Sequence, residues 1–144
     1  MQNKLKTEIS IHGRVPAPFS KQKITAMIRE ILAQAKIDAQ SIGLSFAGQA
    51  KMQTYNRAYR KKNKPTDVLS FAYAPRRKSE GLEGDIIICP AYVKQDIKNS
   101  DTPFTEQMKR LLVHGVLHLA GMDHAKEADA KKMFTKQEKI LRTL

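Results

Sequence analysis

The sequence predicts a mixed α/β layer structure, a small sheet of about four strands packed with about five helices. Three observations predict it. Short apolar alternations of period two recur through the first two thirds of the chain. Between and after them run longer segments with apolar residues three and four apart. The two kinds follow in the order β-α-β-α-β-β-α-α-α, with no internal repeat and no low-complexity linker. A length of 144 residues suits one core, so residues 1–144 are read as a single domain.

Ile9 and Ile11 alternate with polar neighbours in TEISIH, the first strand. In the following KQKITAMIREILAQAKI, Ile24, Met27, Ile28, Ile31, Leu32 and Ala35 keep helical spacing, and Ser20 is placed to cap the first turn. Ile42, Leu44 and Phe46 alternate in a second strand. Residues 48–60 read as a helix through Met52, Tyr55 and Tyr59. Pro65 breaks the chain, and Asp67 to Tyr73, DVLSFAY, form a third strand. APRRKSEGLEG is a basic, glycine-containing loop. GDIIIC is apolar on both faces, as a central strand is. Cys89 at its end reads as a small buried hydrophobe.

Pro90 opens a helical stretch to about Asn99. Thr102 and Pro103 are read as the cap and first residue of the next helix, which carries Met108, Leu111, Leu112 and Leu119 and is apolar enough to be buried. A last helix starts near Lys126, with Met133, Phe134, Ile140 and Leu141 inward and Lys131, Lys132, Lys136 and Lys139 toward solvent.

Lys plus Arg number 26 against 14 Asp plus Glu, a formal charge of +12. Such an excess favours a polyanionic partner, nucleic acid before membrane. The first residues lack the apolar core of a secretion signal, and no apolar run approaches the ~18 residues of a spanning helix. A single cysteine excludes an intramolecular disulfide. Together these point to a cytoplasmic protein, while the oligomeric state is left open.

The run HGVLHLAGMDH, from His114 to His124, holds three of the four histidines. Four helical residues advance about 40° beyond a full turn, so His114 and His118 share one face. Gly121 can take the left-handed conformation that ends a helix and returns His124 toward the pair. Three imidazoles with one side open are the ligand set of a catalytic zinc. His12, far away in sequence, reads as an ordinary strand or loop histidine. The pattern resembles the metzincin H-E-x-x-H-x-x-G-x-x-H, but Gly115 stands where those proteases carry their general-base glutamate. Glycine moves no proton, so the metal geometry is protease-like and the proton chemistry is not.

HGVLHLAGMDH closely resembles the signature of the YbeY endoribonuclease family, H-G-x-L-H-L-x-G-x-D-H. Tyr55 to Phe71, YNRAYRKKNKPTDVLSF, resembles that family's N-x-x-Y-R…K-x-T-D-V-L-S-F block. Gly84-Asp85-Ile86 and Met133 to Leu141 resemble its G-D-I strand and C-terminal helix. The resemblance implies a single-strand-specific endoribonuclease of ribosomal RNA maturation, notably at the 3′ end of the small-subunit RNA, and of ribosome quality control. It implies zinc, one per chain, on His114, His118 and His124, and places the arginine of the Y-R block on Arg60. The implied partners are single-stranded ribosomal RNA and the small ribosomal subunit.

The charge supports an RNA partner independently. Arg57, Arg60, Lys61, Lys62 and Lys64 cluster, and Arg76, Arg77 and Lys78 follow in the loop, a basic groove suited to phosphates. Arg60 would hold phosphate charge through its guanidinium fork. Zinc would activate a water or polarise a phosphate oxygen while the 2′-hydroxyl attacks. Asp123 either orients a histidine N–H or caps the turn. Asp67 and Asp85 read as strand-end carboxylates with structural hydrogen bonds. Two departures touch the substrate rim: Ala72 stands where the family often has proline, and the loop before Gly84 is basic where the family is frequently acidic. The competing readings are a ribosome assembly factor that binds RNA without cutting it and, against Gly115 and the charge, a metallopeptidase.

Overall fold

The protein is described from a computed structural model over residues 6–73, 81–122 and 126–144. Its elements are β1 (Glu8–His12), α1 (Lys21–Ala35), β2 (Ala39–Phe46), α2 (Gln49–Arg60), β3 (Val68–Tyr73), β4 (Leu82–Ile88), α3 (Pro90–Asp96), α4 (Phe104–Leu119) and α5 (Glu127–Leu141). The expected order of strands and helices is the observed one. The sheet runs β1-β2-β4-β3, with β1 parallel to β2, β2 parallel to β4, and β3 antiparallel to β4. The apolar run of β4 therefore lies inside the sheet, as its composition demands.

Alternation along each strand separates two cores. Ile42, Leu44, Phe46, Val68, Ile86 and Ile88 meet the buried stripes of α1, α4 and α5. Leu69 lies on the other face with Met52 of α2 and the fully buried Cys89, joined by Tyr55, Phe71, Ile87 and Tyr92. Gly84 brings the α4 side close: a Cβ there would lie 2.5 Å from a Leu119 methyl and 2.9 Å from the Phe71 carbonyl oxygen.

Ser20 caps α1 as expected, its hydroxyl accepting from the Lys23 amide at 3.1 Å. Some details differ from expectation. The N-cap of α4 is Pro103, not Thr102, because the Pro103 carbonyl already accepts the helical bond from the Gln107 amide while its backbone is extended. Strand β4 begins at Leu82, shortening the loop before it, and α3 ends at Asp96. Asp85 sits within β4 rather than at its end. Phe134 is exposed and Leu141 only half-buried, because the inward stripe of α5 is Met133, Gln137 and Ile140.

Candidate active site

Helix α4 holds His114 and His118 one turn apart, between buried Val113, Gly115, Val116, Leu117 and Leu119. Their rings lie 6.2 Å apart between centroids and 16° from parallel. The helix stops where Gly121 takes φ +93°. The Gly121 amide donates to the His118 carbonyl and the Met122 amide to the Leu117 carbonyl, a pair of bonds that closes the last turn and reverses the chain. His124 and Asp123 lie outside the described residues, as do Arg76, Arg77 and Lys78. Among the described residues no three His, Cys, Asp or Glu side chains gather to hold a metal.

Gln137, missed at sequence level, contacts the first histidine. Its Oε1 stands 2.9 Å from His114 Nδ1, and its Nε2 donates to Glu138 at 3.3 Å. The second bond orients the amide, so the oxygen faces the imidazole and Nδ1 carries the proton. That assigns the lone pair to Nε2, the tautomer a metal ligand needs. Glu138 is held in turn by Arg110, whose Nε and Nη2 each donate at 3.0 Å. The signal was present in the sequence: a glutamine on an otherwise apolar stripe, four residues after Met133. Two imidazoles on one face, one with its tautomer set by a buried amide, fit a zinc ion. If His114 ligates zinc as the sequence implies, replacing Gln137 by leucine is expected to weaken that binding ~10–100-fold with the helix intact, measured by competition with a chromogenic chelator.

The Arg110 fork holds the Glu138 carboxyl below its ordinary value of 4.5. A depressed carboxyl pKa contributes stability that is complete above 4.5 and is lost as pH falls through the folded value. Thermal unfolding is therefore expected to show an acid-limb contribution below about pH 4.5 that Arg110→Met abolishes.

Gly115 faces the sheet. A Cβ there would meet Ile86 methyl carbons at 3.0 and 3.1 Å and Ser70 Oγ at 3.3 Å. Ser70 Oγ also donates to the Gly115 carbonyl at 3.4 Å. The histidines thus lie beside edge strand β3.

Arg57 and Arg60 end α2, and Lys61 caps it in the left-handed conformation, φ 58°. Arg57, Arg60, Lys61, Lys62 and Lys64 are all exposed. Asn56, also missed, is 1% exposed and anchors this turn: its side-chain Nδ2 donates to the Lys64 carbonyl at 2.8 Å, and its backbone carbonyl accepts from the Lys62 amide. Tyr59, 65% exposed, stacks at a tilt on Phe71, 4.8 Å between centroids. Phe71 and Ser70 are neighbours on β3 with opposite faces, so basic cluster and histidines flank the same edge strand from its two sides. Asp67 accepts from the Val68 amide and Asp85 from the Tyr73 hydroxyl, the structural roles expected of them. The Asp85 carboxylate also holds the Tyr73 phenol above its ordinary pKa.

A sequence profile described as Endoribonuclease YbeY matches residues 9–144. The chain belongs to the endoribonuclease YbeY family. Curated YbeY endoribonucleases agree across most of their length. That of Persephonella marina is 34% identical over 88% of this chain and 84% of its own. That of Sulfurihydrogenibium is 36% identical over 97% and 95%, and that of Staphylococcus carnosus 38% over 83% of each. The solution structure of TM1509 from Thermotoga maritima superposes with a TM-score of 0.67 at 26% identity, covering 93% of this chain and 87% of that one. The YbeY match thus spans both the histidine helix and the basic turn.

Proposed function

We propose that this YbeY-family endoribonuclease cuts single-stranded ribosomal RNA, at the 3′ end of the small-subunit strand, with zinc held by His114, His118 and His124. The observation that carries the reading is the pairing across β3 of two near-parallel imidazoles with an exposed aromatic and basic cluster. Zinc, when bound, supplies Lewis acidity toward a phosphate oxygen or an attacking hydroxyl. Arg60 offers a planar fork to two phosphate oxygens. Arg57, Lys61, Lys62 and Lys64 hold neighbouring phosphates without reading sequence, and Arg76, Arg77 and Lys78 extend that track. The open face of Tyr59 takes an unpaired base, which a duplex does not present, and this supports single-strand preference. Asp123 orients an imidazole or closes the turn before His124. No described helix is long and apolar enough to cross a membrane, consistent with work on ribosomal particles in the cytoplasm.

Arg60→Ala is expected to lower kcat/KM on a single-stranded ribosomal RNA fragment by ~10²-fold. Because the side chain is exposed, stability should move by no more than ~0.5 kcal/mol. Product ends identify the attacking group: a 2′,3′-cyclic phosphate assigns it to the 2′-hydroxyl. If metal-loaded wild-type protein binds small-subunit particles and cuts nothing, the protein is an assembly factor and the cleavage reading is wrong.

A further inference from the structure

A cavity of about 790 Å³ opens between α1 and α5, on the flank of α5 away from His114. Lys131, Lys132, Lys136 and Lys139 line it, with Gln34 on the opposite wall and buried Ile140 beneath. No carboxylate lines it. Among the described residues, ion pairs are confined to Arg110 with Glu106 and Glu138, so none neutralises these lysines. Their spacing places all four on one side of the helix over ~12 Å of its length. Lys132 and Lys136, four apart, repel one another, and the carboxylates of the helix's first turn, Glu127 and Asp129, lie outside the lining. The opposite side of the same helix carries Gln137 against His114, so a strand along the lysines runs on the far side of α5 from the histidines.

We propose that this groove is a second RNA-binding site, which takes the sugar–phosphate backbone of a single-stranded segment flanking the one that is cut. The proposal rests on the endoribonuclease reading and extends it to substrate length. A polyanion matches four clustered ammonium groups that make no ion pair, and the absence of exposed aromatic rings from the lining assigns backbone rather than base contact. An anionic lipid surface fits less well. An interfacial helix needs a free apolar face, and that face of α5, Met133 and Ile140, is already buried in the core.

The test compares wild-type protein with a variant carrying Lys131, Lys132, Lys136 and Lys139 all as glutamine, which keeps helix propensity. Binding is measured by anisotropy across salt concentrations with 2′-O-methyl oligouridylates of about 6 and 24 nucleotides, near and beyond the ~4–16-nucleotide footprint of one single-strand site. Cleavage of an unmodified 24-mer by metal-loaded wild type runs alongside. The expected result is a loss of at least ~10-fold in affinity for the long strand. The salt slope should fall by up to ~2.8, at ~0.7 per phosphate, with the short strand unchanged. Equal binding of the long strand by both proteins overturns the groove and leaves the nuclease reading standing. Wild-type protein that neither binds nor cuts overturns the nuclease reading first. A photocrosslink from a 4-thiouridine 24-mer to wild-type protein does not depend on the variant's folding: adducts in residues 128–140 support the groove, and adducts confined elsewhere refute it. Phosphatidylserine vesicles that compete the long strand off the wild type, with no such adduct, make the flank a lipid surface and also refute it.

Discussion

Alanine at His114 is expected to abolish zinc retention and RNA cleavage together. The imidazole is the first of the two that α4 presents on one face as ligands of the proposed zinc, and its orientation is already set by the buried Gln137 amide. Losing a ligand should exceed the ~10–100-fold cost of losing an outer hydrogen-bond partner. Stability should fall as well, but modestly. Alanine suits the helix, while the orphaned Gln137 oxygen costs about 1–3 kcal/mol. Metal per chain by atomic emission and cleavage of a ribosomal RNA fragment give the two readouts. A variant that keeps stoichiometric zinc and cuts at the wild-type rate would remove His114 from the site.

Restoring the protease glutamate, Gly115→Glu, should unfold the protein rather than create a peptidase. The added Cβ alone meets Ile86 at 3.0 Å and Ser70 Oγ at 3.3 Å. The carboxylate beyond it would be forced against the fully buried Ile86. Overpacking costs about 1–3 kcal/mol, and an unpaired buried charge adds several more. At ~2–4 °C per kcal/mol for a chain of this size, the melting temperature should drop by ~10 °C or more, or the variant should aggregate. A stable variant that hydrolyses casein would revive the metallopeptidase reading and contradict the packing of α4 on the sheet. Gly115 is thus explained twice: it carries no proton-transfer group, and it lets the histidine helix sit close to β3 and β4.

Most of the fold was legible because period-two and period-3.6 patterns report burial directly. Ile42, Leu44 and Phe46 point to one core, and Ile24, Ile28, Ile31 and Leu32 meet them there. The edge of legibility lies at polar residues on apolar stripes. Asn56 and Gln137 break the pattern of their helices, and periodicity alone made them noise. Their partners, the Lys64 carbonyl and His114 Nδ1, lie across a turn or on another helix, where spacing along one helix does not reach. Phe134 erred the other way, counted inward for its hydrophobicity although its position lies off the stripe.

Local pattern was enough for the element order, the interior place of β4, the shared face of His114 and His118, and the turn at Gly121. These depend on helix and strand geometry within a few residues of each other. Tertiary structure alone decided that Gln137 sets the His114 tautomer. It also decided that Gly115 is needed against Ile86, and that the Arg60 cluster and the histidines flank β3 from opposite faces. Each of these is a contact between segments distant in sequence, set by how helices pack on a sheet, and no single segment encodes that geometry.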